Sequence, residues 1–439
     1  MNNNAIGVDF GTSNSTAAFL DGDTPVLVPL EDGRSDMPST VFFDFETGQR
    51  RYGRAAINAY VGDAEGRFMR ALKSILGTSL EDDATYINGT RVAFVDIIAG
   101  LVRSIRNSAE ERCGSEIDTV VAGRPVRFVD DDDGADRRAE QTLERVYRTA
   151  GFSHVTFQYE PIAAALDYER TVRNEEIALI ADLGGGTSDF SIVRISPDGR
   201  KRADRGNDIL STGGVHIGGT DLDRLTSLSK VMPELGLNSR LKRDFGDDLI
   251  TIPRHVFVSL STWQKIHLLY DRAILREVAE YLRLAESPHL IERLSHVLDE
   301  RLGHRLALEV ESAKIELTDR PGARISLETI ETGLGIDIDR TGFEEIIDRE
   351  TRAIRQAMQA AMADAGIGPD TISAIFLTGG TTAIPYVRRA LLEAVPGAAV
   401  VDGDRFGSVG IGLALEAGRR FGQVPAWLPN VRAGLPARN

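Results

Sequence analysis

The sequence is poor in cysteine and in positive charge. Cys113 is the only cysteine among 439 residues, which excludes an intrachain disulfide and a zinc site built from cysteines. Lys and Arg total 51 against 66 Asp and Glu, so the formal net charge is −15. Nucleic acids and anionic membranes select basic surfaces, and neither is therefore expected as the main partner. A small phosphorylated ligand needs only local positive charge and remains compatible with this composition.

Long apolar runs and targeting signals are lacking as well. Residues 1–4 offer neither the basic residues nor the apolar segment of a secretory signal. The sequence contains no run of about 18 apolar residues, so that no membrane span is predicted. A cytoplasmic location is expected. Hydrophobic residues make up 42% and charged residues 27% of the chain, which is typical of globular proteins. At roughly 150 residues per domain, the length predicts about three domain-sized units.

Two distant segments repeat one pattern. Residues 6–20 and residues 178–195 each contain a short apolar and β-branched run, a carboxylate, a turn of Gly, Thr and Ser, and a second apolar run. This pattern predicts two strands joined by a tight turn. Two similar hairpins so far apart predict two related halves, each a sheet with helices.

A third glycine-rich turn lies near the end of the chain. Residues 374–378 have the pattern of a buried strand, and Gly379 and Gly380 follow it directly. Pro385 then opens a helical run, as proline often does at a first helical position. The second half is therefore expected to be bounded by two strand–glycine elements.

The two repeated turns have the composition of a phosphate-binding site. Glycine lets backbone N–H groups approach an anion closely. Hydroxyl donors are added by Thr12, Ser13, Thr187 and Ser188. The preceding carboxylates, Asp9 and Asp182, suit Mg²⁺, which is usually held by one or two carboxylates plus phosphate oxygens. One such turn is more often a plain β-turn, but two copies and a third strand–glycine element favour a site for nucleotide phosphates.

These motifs resemble the actin, sugar-kinase and heat-shock ATPase superfamily. Residues 9–12 and 182–187 are similar to its two phosphate motifs. The segments similar to those of the seventy-kilodalton heat-shock chaperones, the DnaK family, are residues 159–165, 217–223 and 378–385. The branch that the chain most resembles is the shorter YegD-like proteins, which lack the peptide-binding domain. The resemblance implies an α/β, actin-like ATPase fold with two similar lobes, each an RNase H-like sheet with helices, around a central nucleotide cleft.

The resemblance also implies a division of the chain. The expected parts are lobe I (residues 1–176 and about 400–425, with 42–117 as its peripheral subdomain), lobe II (177–399, with 223–340 as its peripheral subdomain) and a tail (426–439). The second peripheral subdomain is expected to be enlarged and mostly helical. Apolar residues from Leu302 to Leu317 recur there at the spacing of one helix face. Its extra surface is a candidate site for a protein partner.

Catalysis is assigned by the resemblance to a small set of residues. Lys73 would stabilise the transferring phosphoryl group and orient water, and Glu160 would lie beside the lytic water and Mg²⁺. Without the resemblance, Lys73 would be read as a solvated lysine and Glu160 as an N-terminal helix carboxylate. The catalytic set implied is Lys73, Glu160, Asp182, Thr187 and Asp189. Mg²⁺ would be held by Asp9 and Asp182, largely through water.

Nucleotide-binding residues are implied in each of these turns and on one helix. Glu311, Lys314 and Thr318 share a helix face, because they are spaced i, i+3 and i+7. In the family, this face clamps the nucleoside, with Glu311 on the ribose and Lys314 over the adenine. Otherwise the residues would form an exposed Glu–Lys pair. The full set implied is Gly11, Thr12, Ser13, Asn14, Gly184, Gly185, Gly186, Thr187, Gly218, Gly219, Thr220, Glu311, Lys314, Thr318, Gly379, Gly380 and Thr381.

Three residues depart from the family pattern. Ile315 and Ala383 stand where the chaperones usually place arginines beside the adenine, and Phe406 stands where they usually place an acid. Each arginine contact with a base would be worth roughly 0.5–2 kcal/mol. Their loss would weaken ATP binding or admit another base.

The expected function is Mg²⁺-dependent ATP binding and slow ATP hydrolysis by a chaperone-like protein without a substrate-binding domain. ATP or ADP and Mg²⁺ are the expected cofactors, with K⁺ as an optional addition. Three alternatives stay open: a nucleotide-gated scaffold or sensor with negligible hydrolysis, a small-molecule kinase, and an actin-like filament. Single-turnover hydrolysis separates the first from an ATPase, and light scattering with nucleotide tests the last.

Overall fold

The computed structural model describes residues 5–62, 64–78, 81–129, 132–199, 202, 204–243, 248–401 and 407–421. Phe406 and the predicted tail lie outside the described residues. The chain divides into two compact units. The first unit comprises Met1–Val215, Ala357–Gly380 and Leu392–Asn439, and the second comprises His216–Gln356 and Thr381–Leu391. The lobe boundary expected between residues 176 and 177 stays a prediction.

The first unit contains a mixed sheet in the order β11-β10-β1-β2-β3, with β4 paired to β2. Its strands are β1 (Ala5–Phe10), β2 (Asn14–Asp21), β3 (Thr24–Leu27), β4 (Asp36–Pro38), β10 (Thr119–Arg124) and β11 (His154–Tyr159). β1 and β10 are apolar and buried along most of their length, as expected of central strands covered on both faces.

A second sheet in the same unit has the order β14-β13-β12-β19-β20. Its strands are β12 (Glu176–Leu183), β13 (Ser188–Ile195), β14 (Ile209–Val215), β19 (Ala374–Thr378) and β20 (Ala399–Val401). β19 is buried throughout, which confirms the strand predicted at residues 374–378.

The two sheets repeat one another strand for strand. β1 is antiparallel to β2 and parallel to β10, which is parallel to β11. β12 is likewise antiparallel to β13 and parallel to β19, which is parallel to β20. The hairpins β1–β2 and β12–β13 therefore occupy equivalent positions in their two sheets. This order confirms the predicted α/β fold built from two related halves.

Helices cover both faces of the first sheet. The helices around it are α2 (Phe94–Cys113), α3 (Asp133–Ala150), α4 (Glu160–Glu169) and α12 (Ser408–Phe421). Alternate residues of β1 point to opposite faces, so that Ile6, Val8 and Phe10 enter the core shared with α2 and α3. Ala5 packs instead in the core shared with α4 and α12. Both faces of β1 are thus buried, which fixes the position of its last residues.

A small strand-and-helix region lies between β4 and α2. It contains β5 (Thr40–Asp44), β6 (Arg50–Tyr52), α1 (Gly53–Val61), β7 (Gly66–Arg70), β8 (Ala84–Ile87) and β9 (Thr90–Ala93). A 3₁₀ turn, Leu72–Ile75, follows β7 and carries Lys73. The expected bounds of the first peripheral subdomain, residues 42–117, stay a prediction.

The second unit is mostly helical. Its elements include α5 (Gly219–Thr226), α6 (His255–Leu260), α7 (Arg272–Leu284), α8 (Pro288–Asp299), α9 (Gly303–Asp319) and α11 (Pro385–Leu392), with the hairpins β15 (Arg240–Lys242)–β16 (Leu249–Thr251) and β17 (Gly322–Ser326)–β18 (Gly335–Asp339). α10 (Arg340–Asp364) contributes residues to both units. The helix face predicted from Leu302 to Leu317 is buried along α9. Within the described ranges, no helix combines the length and apolar character needed to cross a bilayer.

Candidate functional site

An ion pair joins Lys73 to Glu160. Lys73 lies in the 3₁₀ turn after β7, and its neighbours Leu72 and Leu76 are buried in the core. Glu160 is the first residue of α4, where Pro161 favours a helix start. The Lys73 Nζ atom donates a hydrogen bond of 2.6 Å to Oε1 of Glu160. Their side chains are only 9% and 18% exposed, so solvent screens this pair weakly.

Asp9 and Asp182 lie at matching positions, each the penultimate residue of its strand. Removal from solvent raises the pKa of Asp9 from 3.8 to about 8; the carboxylates of Glu160 and Asp182 add to the rise, and Lys73 opposes it. Burial likewise raises the pKa of Asp182 from 3.8 to about 6, with further contributions from Asp189 and Glu160. Glu160 thus raises the pKa of both aspartates, so that the repeated carboxylates belong to one electrostatic cluster.

One ammonium group serves three carboxylates in this cluster. Burial lowers the pKa of Lys73, but Glu160, Asp9 and Asp182 together raise it by more, so that its net pKa lies above the ordinary value. Lys73 is therefore charged at neutral pH. A single positive charge does not offset three acidic groups, so Asp9 is largely protonated at neutral pH, and further positive charge would favour its ionised form.

The donor set of this cluster fits Mg²⁺. Asp9 and Asp182 supply the carboxylate oxygens that Mg²⁺ prefers, and a bound divalent cation would favour the ionised form of both groups. Among the residues that the structure describes, no group of three or more His, Cys, Asp or Glu side chains lies close enough to hold a metal ion by itself. An ion held by one or two carboxylates together with water and phosphate oxygens needs no such group.

The turn between β1 and β2 is fastened to a neighbouring segment. The hydroxyl of Ser39 donates a hydrogen bond to the carbonyl of Gly11 at 2.7 Å, and the Ser39 N–H donates to the carbonyl of Ser13 at 2.8 Å. Thr12 between them is exposed, and Asn14 begins β2. The turn therefore presents the Thr12 side chain to solvent from a fixed backbone.

The corresponding turn between β12 and β13 closes on itself. The N–H of Gly184 donates a 2.9 Å hydrogen bond to the carbonyl of Thr187, so that Gly185 and Gly186 lie at the tip. The hydroxyl of Thr187 donates to Oδ2 of Asp189 at 2.7 Å. This contact links two residues that were assigned together to the catalytic set.

Two further strands bring residues to Asp182. Asp189 on β13 and Thr378 on β19 are its direct register partners. Gly379 follows with a φ of +80°, and a Cβ atom there would lie 2.3 Å from the carbonyl oxygen of Leu183. Glycine is therefore required where the predicted Gly379–Gly380 turn leaves β19.

The remaining predicted residues lie mainly in the second unit. Gly218 precedes α5, and its N–H donates to Oδ2 of Asp221 at 3.1 Å. Gly219 and Thr220 form the first turn of this helix. Thr381 lies in a 3₁₀ turn, Gly380–Ala383, before α11 and is buried.

On α9, Lys314 is tied to α5. Its ammonium donates to Oδ2 of Asp223 at 2.7 Å and to the carbonyl of Gly219 at 3.3 Å. Glu311 lies one turn earlier and is partly buried. The hydroxyl of Thr318 donates to the carbonyl of Ile315, and the Ile315 side chain is exposed. Glu311, Lys314 and Thr318 thus lie on one helix at the predicted spacing, and Lys314 is held beside the start of α5.

The structure therefore brings Asp9, Lys73, Glu160 and Asp182 into one cluster, and separately joins Lys314 to Gly219. Asp223 and Thr378 lie within the motif segments 217–223 and 378–385, and no role was predicted for either residue. The available signal for Asp223 was its position three residues after Thr220, because acidic side chains are favoured near the N-terminus of a helix.

One protein-family model matches most of the chain. The model, described as Hsp70 protein, matches residues 5–231 and 270–424. The two matched ranges contain all the residues of the charged cluster. The interruption from residue 232 to residue 269 falls within the region that was expected to be enlarged.

Proposed function

The chain belongs to the Hsp70 family, and on this premise we propose that it binds ATP or ADP with Mg²⁺ and hydrolyses ATP slowly. Members of the family are generally ATPases that bind these nucleotides with Mg²⁺. A chaperone-like role is proposed from membership alone. The hydrolytic activity is proposed from the residues of the first unit.

The observation that carries the proposal is the Lys73–Glu160 pair beside Asp9 and Asp182. Hydrolysis of a phosphoanhydride builds negative charge on phosphate oxygens, and a fixed ammonium group stabilises that charge. Lys73 has the required charge and is already held in place at 2.6 Å from Glu160. A carboxylate beside this lysine can orient an attacking water and accept its proton, which is the role proposed for Glu160.

The repeated turns are proposed to hold the phosphates. Thr12 and Thr187 offer hydroxyl groups, and backbone N–H groups of the glycine turns are the natural donors to anionic oxygens. Asp9 and Asp182 would hold hydrated Mg²⁺, which neutralises phosphate charge when bound. Asp189 would help by positioning the Thr187 hydroxyl, which it accepts at 2.7 Å.

The nucleoside is proposed to bind residues of the second unit. The α9 face carries Glu311 and Lys314, and Lys314 lies beside the first turn of α5. Because Lys314 is bonded to Asp223 and Gly219, its position is fixed relative to α5. A fixed position lowers the entropic cost of contacting a ligand.

A single-turnover assay with the pure protein tests the proposal. Protein in excess over γ-labelled ATP should release phosphate in one slow exponential phase with Mg²⁺ and none with EDTA. Release that ignores EDTA, or no release despite measurable ATP binding, would contradict the proposed hydrolysis.

The second candidate is a nucleotide-gated sensor with negligible hydrolysis. Ile315 favours it, because this side chain is 59% exposed on α9 beside Lys314 and offers no positive charge to a base. The sensor predicts tight nucleotide binding without phosphate release in the same assay. Binding and release measured on one preparation therefore separate the two candidates.

A further inference from the structure

A buried carboxylate outside the charged cluster holds the chain segment that follows Lys73. Oε2 of Glu81 accepts a hydrogen bond of 2.8 Å from the backbone N–H of Gly77. The Glu81 residue is only 4% exposed. None of the nucleotide motifs includes it, and the proposed mechanism does not use it.

The burial of Glu81 is not explained by a strong ion pair. Its nearest cationic partner is Arg138 on α3, whose Nε lies 3.8 Å from Oε1 of Glu81 and whose side chain is 59% exposed. A buried carboxylate is costly unless hydrogen bonds or close ion pairs satisfy it. The bond from Gly77 is therefore the closest interaction available to this group in the described structure.

One short backbone turn connects Gly77, the residue that Glu81 holds, to Lys73. The N–H of Leu76 donates to the carbonyl of Lys73 at 3.1 Å, and Gly77 follows with a φ of +78°. A Cβ atom at Gly77 would lie 2.4 Å from the Val129 side chain, so the backbone is pressed closely against its neighbour. Gly77 is thus fixed on one side by packing and on the other by Glu81.

The entry to the same turn is held in an unusual conformation. Ala71 has a φ of +56°, a left-handed geometry that is unfavourable for a residue with a Cβ. Such a conformation persists only where the surrounding contacts over-determine it. Ala71 directly precedes the Leu72–Ile75 turn and Gly77 follows its C-cap, Leu76, so the contacts of Gly77 help to maintain the geometry of the turn between them.

We propose that Glu81 is a positioning residue for Lys73. By accepting the Gly77 N–H, Glu81 fixes the turn that holds the Lys73 ammonium against the carboxylates of the charged cluster. The inference rests on the proposed function for its effect on hydrolysis, but the placement of Lys73 is measurable without hydrolysis. Removing the acceptor should therefore act on the rate of the chemical step more than on nucleotide affinity.

Four variants test this role. Glu81→Ala removes the acceptor, Glu81→Gln keeps an acceptor oxygen without charge, and Glu81→Asp keeps the charge but shortens the reach. Asp82→Ala is the matched control, because Asp82 also contacts α3, through Arg145 at 3.0 Å, but is 74% exposed. For each folded variant, we would measure ATP affinity, the single-turnover rate, and the rate at which acetic anhydride acetylates Lys73, read by mass spectrometry.

Glu81→Ala is expected to lower the single-turnover rate at least tenfold with affinity changed less than threefold, and to speed acetylation of Lys73 several-fold. Glu81→Gln and Asp82→Ala should stay within threefold of the wild type in all three measurements. If Glu81→Ala does not fold, Glu81→Asp should show the same changes in direction. Wild-type rates and labelling in Glu81→Ala, or equal losses in Asp82→Ala, would overturn the inference.

The labelling also separates this inference from the proposed function. If the wild type releases no phosphate, the proposed hydrolysis fails, and the acetylation of Lys73 alone decides the role of Glu81. If the wild type hydrolyses ATP but Glu81→Ala leaves Lys73 protected, the inference fails and the proposed function stands.

Discussion

Lys73 and Glu160 meet at 2.6 Å although 87 residues separate them in the sequence. Lys73 reaches this point from a 3₁₀ turn anchored by buried leucines, and Glu160 from the first residue of α4. The contact therefore depends on the packing of two independent segments against one sheet. It also gives the cluster of Asp9 and Asp182 its positive charge.

Replacing Lys73 by alanine should separate binding from chemistry. Lys73→Ala removes the charge that stabilises the transferring phosphoryl group, and we expect single-turnover hydrolysis to fall by about two orders of magnitude or more. ATP affinity should change less than tenfold, because other groups hold the nucleotide. Lys265→Ala, at an exposed lysine, is the control. Unchanged hydrolysis in Lys73→Ala would remove this residue from the mechanism.

Asp9 should make the stability of the nucleotide-free protein depend on pH. Its pKa is raised from 3.8 to about 8 by burial and by Glu160, so the folded state binds a proton more readily than the unfolded state. The stability contributed by Asp9 is therefore present at low pH and is lost as the pH rises towards 8.

Asp9→Asn removes this dependence, because the amide has no charge to bury. Thermal unfolding without nucleotide or Mg²⁺ should show the variant melting above the wild type at pH 8 and close to it at pH 4.5. Asp23→Asn, at an exposed aspartate, should follow the wild type at both values. If the difference in melting temperature between Asp9→Asn and the wild type is no larger at pH 8 than at pH 4.5, the raised pKa of Asp9 would be contradicted.

A buried ion network around Arg205 should contribute strongly to the free energy of unfolding. Arg205 is 3% exposed and pairs with Glu169 at 2.8 Å and with Asp208 at 2.5 Å. Arg205→Met removes the cation that Glu169 and Asp208 share, leaving Glu169 with the Ser196 N–H and Asp208 with Arg202, and should lower the free energy of unfolding by about 3 kcal/mol.

Denaturant unfolding checks this estimate against a surface pair. Arg170→Met removes the partner of Asp167, which lies 3.2 Å away and is 62% exposed, and should cost less than about 1 kcal/mol. Similar losses in Arg205→Met and Arg170→Met would show that the buried network is not a main source of stability.

Removing the hydroxyl group of Tyr147 should stabilise the protein. The side chain is fully buried, and its hydroxyl has no hydrogen-bond partner in the described part of the chain. A buried, unsatisfied hydroxyl costs free energy, so Tyr147→Phe should raise the free energy of unfolding by about 1 kcal/mol. Tyr86→Phe, at an exposed tyrosine, is the control and should leave it unchanged. A loss of stability in Tyr147→Phe would reveal a partner for the hydroxyl.

The repeated core was predictable because its signals are local. The runs around Asp9 and Asp182 combine apolar β-branched residues with a carboxylate and a glycine turn, and each run dictates a hairpin by itself. The equal positions of the two aspartates at the ends of β1 and β12 follow from that repetition. The α9 face was predictable for the same reason, since periodicity over a few turns identifies a helix.

The contacts of the site depend on tertiary packing and were less accessible. Composition alone describes Lys73 as a solvated lysine, but the folded chain buries it because its turn is pinned at Leu72 and Leu76. The partner of Lys314 is Asp223, which a different helix supplies. The Arg205 network was not foreseen, because its loop has no periodic pattern that would place a buried arginine.

The most direct test of the account is the binding of Mg²⁺ and ATP to the paired aspartates. Isothermal titration calorimetry would compare the wild type with the double variant Asp9→Asn and Asp182→Asn, each titrated with ATP in Mg²⁺ and in EDTA. We predict that Mg²⁺ strengthens ATP binding to the wild type at least tenfold and loses this effect in the folded double variant. Equal affinity for ATP with Mg²⁺ in both proteins would contradict a shared site at the two repeated turns.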